Sequence, residues 1–108
     1  MTSRHGQVIG LRPEHRDEYL RLHAAVWPEV EATLRAAGIR DYTIYCHGDL
    51  LFAHYEYDGP DLAAALAAVA ADPVTQQWWQ LTDPCQERLP GTPEGQQWAD
   101  LTEVWHLD

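Results

Sequence analysis

Tyr19 and His23 stand one helical turn apart in the run Glu18-Tyr19-Leu20-Arg21-Leu22-His23-Ala24-Ala25-Val26-Trp27-Pro28-Glu29. Residues at i and i+4 share a helix face, and the same face carries Leu22, Val26, Val30, Leu34 and Ala37. The histidine is therefore expected to point inward. Histidine is the side chain whose reference pKa, roughly 6.5, lets it give and take protons near neutrality. An inward imidazole beside a phenol is either a buried polar pair or a proton-transfer site in which the phenol orients the ring or holds a substrate hydroxyl. Trp78-Trp79 is a second candidate element. Adjacent residues on a helix point about 100° apart, so one indole can pack in the core while the other faces a cavity or a subunit seam; two core indoles are the plainer reading.

The elements that must position these residues are legible from caps and breakers. Pro13, with Glu14, Asp17 and Glu18 after it, predicts a helix over 13–37 that ends at Gly38. Pro28 removes one backbone bond and disfavours helical geometry at Trp27, so a kink near 24–27 is expected, and it would help to position His23. Gln7 to Leu11 reads as a strand before this helix. Asp41 to Cys46 and Leu50 to Tyr57 read as a hairpin around His47-Gly48-Asp49. Gly59-Pro60-Asp61 opens an alanine-rich helix to about Ala71, and Asp72-Pro73 repeats the signal for a shorter helix through Trp78-Trp79. A loop with Pro84, Pro90, Gly91, Pro93 and Gly95 precedes a last strand from Leu101 to Leu107. The order β-α-β-β-α-β is that of a ferredoxin-like α+β sandwich, one domain over residues 1–108. In the hairpin both alternating sets are apolar or aromatic: Tyr42, Ile44 and Cys46 against Thr43 and Tyr45, then Leu51, Ala53, Tyr55 and Tyr57 against Leu50 and Phe52. A one-sided sheet alternates cleanly, so a second copy is expected on the open face, making a homodimer.

Composition narrows the function classes. A chain of 108 residues buries roughly two thirds of its unfolded surface, enough for one core. No apolar stretch approaches the ~20 residues of a membrane-spanning helix, and Met1-Thr2-Ser3-Arg4-His5-Gly6 lacks the charged start and apolar core of a secretory signal. A cytoplasmic protein is expected. Cys46 and Cys85 are expected to be free thiols. A formal net charge of −10 argues against nucleic acid and against an anionic membrane as partners. Five Trp and five Tyr stand against a single Phe, so nearly every aromatic carries a polar handle. Such rings suit a polar ligand with apolar faces, though a small core also favours large side chains. Cys46, His47 and His54 make no metal site, because Cys46 and His47 are strand neighbours that point to opposite faces. His54 is read as a hydrogen-bonded structural histidine or a second proton relay.

Glu-Tyr-x-x-x-His, x-x-x-Trp-Pro-Glu, Gly-x-x-x-Tyr-x-Ile-Tyr, Leu-Leu-Phe-Ala and Trp-Trp occur here in one order. Taken together, they make the chain resemble the L-rhamnose mutarotase family from about Val8 to Asp83 and again from Leu101 to Leu107. The resemblance implies a dimeric α/β barrel of ferredoxin-like subunits that interconverts the α and β anomers of a 6-deoxy sugar with no cofactor and no metal. It also implies His23 as proton donor and Tyr19, Tyr42, Trp78 and Trp79 as sugar-binding residues. Mutarotation protonates the ring oxygen while the anomeric hydroxyl loses its proton, then closes the ring on the other face of the aldehyde, so one acid and one base suffice. A water, Tyr19 or Tyr42 is open as the second group. Ala24-Ala25 stands where the family commonly has Asn-Pro, Leu22 replaces a basic residue, and Asp83 to Asp100 has little similarity. These departures leave the sugar open among L-rhamnose, L-fucose and other deoxy or modified sugars. Competing readings are a dimeric-barrel monooxygenase or cyclase acting on an aromatic polyketide, and a non-catalytic sugar-binding module.

Overall fold

The computed structural model describes residues 2–108, in which strands form a single antiparallel sheet with helices on one face. The chain runs β1 (Thr2–Leu11), α1 (Arg16–His23), α2 (Pro28–Ala36), β2 (Ile39–His47), β3 (Leu50–Asp58), α3 (Leu62–Ala71), α4 (Pro73–Thr82), β4 (Gln86–Glu87) and β5 (Ala99–Leu101). The sheet order is β2-β3-β1-β4, and β5 shares the β1 edge with β4. Gly10 and Leu11 pair with β4, whereas Gly6 to Val8 pair with β5, so the fourth strand of the ferredoxin-like order comes in two pieces.

Both expected caps form. Asp61 accepts from the Ala64 amide at 3.1 Å, and Asp72 accepts from the Thr75 amide at 2.9 Å and its hydroxyl at 2.8 Å. Gly38 ends α2 at φ +92°, where a Cβ would stand 2.6 Å from the Asp58 carbonyl oxygen, so the turn into β2 requires glycine on both counts.

The expected helix over 13–37 is more than kinked. It is a 3₁₀ turn (Pro13–His15) followed by two separate helices, α1 and α2. Trp27 is extended (φ −65°, ψ 130°) because the Pro28 ring excludes the helical conformation there, and Pro28 starts α2 as its first residue. Tyr19 and Val30 are buried, and Leu22, Val26, Leu34 and Ala37 are half-buried. β1 begins before the expected Gln7, because Thr2 to Gly6 pair with His54 to Asp58. The segment expected to be loop after Asp83 contains a 3₁₀ turn (Asp83–Cys85) and β4. The last strand, expected over 101–107, is only Ala99–Leu101. Its continuation leaves the sheet with Val104, Trp105 and Leu107 exposed at 92%, 76% and 74%.

Alternation along the strands divides the sheet. Ile9, Leu11 and Leu51 pack toward the helices with Tyr19 and Cys85, and Ile39, Tyr55 and Tyr57 form a second cluster with Leu34 and Leu62. Each fully buried aliphatic side chain there contributes about 1.5–3 kcal/mol. On the outer face Val8 and Phe52 are half-buried and Tyr45 is exposed.

Candidate active site

The break between α1 and α2 builds the centre of the site. His23 is the last residue of α1, one turn beyond Tyr19, and the two rings stack with centroids 4.1 Å apart. The Trp78 indole meets the His23 imidazole edge-on at 5.4 Å, and Trp27, turned inward by its extended backbone, meets Trp78 at 5.3 Å. Four rings therefore form one column, with the imidazole held on both sides. The inward direction expected for His23 is observed, and the ring is half-buried.

The hydrogen bonds assign its proton. His23 Nδ1 lies 3.0 Å from the Tyr19 carbonyl oxygen, which can only accept, so Nδ1 carries the hydrogen. Nε2 then holds the lone pair. Burial lowers the His23 pKa below its usual 6.5, opposed by the backbone bond to Tyr19, so the ring rests neutral at pH 7.

Tyr19 is almost sealed, at 2% exposure, among Ile9, Leu11, Leu51 and Cys85. Its hydroxyl accepts from Gln86 Nε2 at 3.4 Å, and the Gln86 Oε1 accepts in turn from Gln97 at 3.3 Å. Burial raises the Tyr19 pKa. Tyr42 sits in a β-bulge: Arg40 pairs with Glu56 and Thr43 with His54, so three steps on β2 face two on β3, and Asp41 takes up the distortion at φ +49°. The bulge brings Tyr42 to the helix-facing side, 5.7 Å from Tyr55. Although 41% of Tyr42 is open to solvent, burial around its hydroxyl, with the Tyr55 phenol nearby, pushes its pKa up to about 12. Both phenols are thereby kept in their protonated, hydrogen-bond-donating form at neutral pH.

Trp78 and Trp79 divide as adjacent helical residues can. Trp78 is buried at 5% exposure behind His23, whereas Trp79 is 37% exposed and lines a cleft of about 900 Å³. That volume suits a small molecule. The cleft lining includes His5, Gln7 and Tyr55 on the sheet with Leu66, Trp79 and Trp98, and at its outer end Arg4, His54 and the tail residues Glu103 and Trp105; of the residues expected to form the site, Trp79 lines it, whereas Tyr19, His23, Tyr42 and Trp78 do not. His5 stacks on Tyr55 at 5.0 Å, and its Nε2 is 2.7 Å from the Ser3 hydroxyl. His5, Gln7, Gln86 and Gln97 escaped the sequence reading. Alternation along β1 would have placed His5 and Gln7 with Ile9, but no local signal marks Gln86 or Gln97, which meet the site only through the fold. His54 is exposed, alternates with the buried Ala53 and Tyr55 along β3, and lies at the outer end of the cleft lining.

A sequence profile of the family described as L-rhamnose mutarotase matches residues 4–107. A curated L-rhamnose mutarotase of Klebsiella pneumoniae subsp. pneumoniae is 37% identical over 103 residues, which cover 93% of each chain. Among solved structures, the L-rhamnose mutarotase of Formosa agariphila superposes with a TM-score of 0.75 at 23% identity, covering 98% of this chain and 99% of that one. The tetracenomycin F2 cyclase of Streptomyces glaucescens, a type-II polyketide cyclase, superposes with a TM-score of 0.69 at 17% identity, covering 98% and 99%. These two likenesses establish the fold, a curled antiparallel sheet with helices on one side, and not the chemistry.

Proposed function

The chain belongs to the L-rhamnose mutarotase family of isomerases, which interconvert rhamnose anomers, and from that premise we propose that it exchanges the α and β anomers of L-rhamnose or a related 6-deoxy sugar. The observation that carries the mechanism is the neutral His23, with its hydrogen on Nδ1 and its lone pair on Nε2. Nε2 takes the proton of the anomeric hydroxyl as the bond from the anomeric carbon to the ring oxygen breaks. The resulting imidazolium gives that proton to the ring oxygen. Both oxygens are bonded to the same carbon, so one imidazole reaches each in turn and needs no second base. Rotation of the aldehyde and the reverse transfers close the ring on the other face. His23 thus remains the donor to the ring oxygen, and its resting form supplies the base as well.

The sugar is held by the surrounding residues. The Trp79 indole takes the apolar face and methyl group, Tyr42 donates a hydrogen bond to a ring hydroxyl, and Tyr19 and Trp78 hold the His23 ring from below and behind. His5 and Gln7 on the cleft floor offer further partners to sugar hydroxyls.

Saturation-transfer NMR on L-rhamnose, L-fucose and common aldoses tests reaction and substrate together. Faster anomer exchange of a 6-deoxy sugar at substoichiometric protein is expected; binding without acceleration would leave a sugar-binding module instead. The same assay has a predicted pH profile. The working form is the neutral imidazole, whose pKa is lowered, so the rate is flat above neutrality and falls on acidification with a midpoint below 6.5. A midpoint at or above 6.5 contradicts the assignment.

The working unit is a homodimer. Val8, Phe52 and Tyr45 leave the outer sheet face apolar, and Arg4 on that face holds Glu103 of the exposed tail at 2.8 Å, close to Val104 and Trp105. A second copy would cover this surface. Light scattering at micromolar concentration is expected to give twice the 12.3 kDa chain mass, and a monomeric mass would sink the dimer. The free thiols Cys46 and Cys85 fit a reducing cytoplasm as its location.

A further inference from the structure

Away from the residues that line the cleft, three metal-ligating side chains of different chemistry converge at the start of α1. His15 closes the 3₁₀ turn before α1 and Glu18 follows one turn later, with Nδ1 and Oε2 3.4 Å apart. Cys85 comes from the 3₁₀ turn after α4, and the three donor atoms all lie within 4.8 Å of one another. We infer that His15, Glu18 and Cys85 form a binding site for one divalent transition-metal ion of the zinc class.

The donor set selects the ion. A thiolate, an imidazole and a carboxylate suit borderline-soft zinc, whereas magnesium and calcium require oxygen ligands throughout. Bonds of about 2.0–2.3 Å in a tetrahedron place ligand atoms roughly 3.3–3.8 Å apart. His15 and Glu18 already meet that spacing at 3.4 Å, and the sulfur needs to close by about 1 Å at most, within the reach of small side-chain rotations. Side-chain exposures of 39% for His15 and 44% for Glu18 leave the site open to an entering ion, while the fully buried Cys85 forms its floor. The Cys85 thiol now donates to the Leu81 carbonyl oxygen at 3.6 Å. Binding replaces the S–H bond by a metal–sulfur bond and releases one proton to solvent. The two anionic ligands then neutralise the dication, and a water fills the fourth position.

The ion would tie together the segments that carry Tyr19 and Gln86, which follow Glu18 and Cys85 directly and meet at 3.4 Å beneath the imidazole column. Its role is a clasp on the frame of the site, outside the proton transfers proposed above.

Cobalt(II) titration of the chelator-treated full chain tests it. One ion per chain is expected, with a thiolate-to-cobalt charge-transfer band and tetrahedral d–d bands that zinc abolishes, and with a rise in melting temperature on adding zinc. His15→Asn, a surface substitution that spares the fold, and Cys85→Ser are each expected to weaken binding more than about a hundredfold. Cys46→Ser should leave it unchanged. Absence of the thiolate band, or a band of full strength in His15→Asn or Cys85→Ser, overturns the site.

Discussion

Replacing His23 by alanine is expected to slow anomer exchange by about 10²- to 10⁴-fold, the range of general acid–base assistance, while the sugar still binds. The loss is this large because one nitrogen performs both transfers. Tyr19 and Tyr42 cannot substitute: burial raises both phenol pKa values, so each remains a hydrogen-bond donor at neutral pH. Binding survives because the cleft residues His5, Gln7 and Trp79 stand on other elements, β1 and α4. Saturation-transfer NMR measures the exchange, and the change in Trp fluorescence on sugar addition measures binding. Exchange at the wild-type rate in His23→Ala would refute the proton-transfer role. Loss of exchange together with loss of binding would make His23 a binding residue.

Trp78→Ala and Trp79→Ala are expected to fail in opposite ways. Trp78 is 5% exposed and touches both His23 and Trp27, so its removal empties the centre of the aromatic column. A loss of about 3–5 kcal/mol in unfolding free energy is expected, measured by urea denaturation, with loss of activity following from the unsupported imidazole. Trp79 is 37% exposed on the cleft wall, and its truncation costs little stability. It removes instead the surface that covers the deoxy sugar, about 1.5–3 kcal/mol of apolar contact, and so raises KM roughly ten- to hundredfold. Equal destabilisation by the two substitutions would undo this division, as would an unchanged KM in Trp79→Ala.

Much of this arrangement can be read along the chain. The i, i+4 spacing of Tyr19 and His23 puts both on one helix face wherever the helix lies, and they stack at 4.1 Å. Asp61 and Asp72 cap their helices because an aspartate before a helix start meets the free amides of its own first turn, which is local chemistry. Pro28 likewise marks the break before α2, and the break is complete rather than a kink, because a proline starts a new helix as readily as it bends an old one. The last strand is shorter than its apolar residues imply: ladder pairing stops at Leu101 opposite Gly6, although β1 itself runs on to Thr2, and beyond that point the Arg4–Glu103 ion pair joins the tail to β1.

The sequence by itself determined the hairpin, the capped starts of α3 and α4, the inward imidazole, the paired indoles and the net negative charge, because each follows from local periodicity, capping or composition. Tertiary structure alone decided which indole is core and which is wall, that a β-bulge turns Tyr42 toward Tyr55, and that Gln86 reaches Tyr19 from far along the chain. It also brought Cys85 to His15 and Glu18. A residue's face is set by the 3.6- or 2-residue repeat of its own element, whereas its neighbour across the fold is set by strand register and helix packing, which no local pattern encodes.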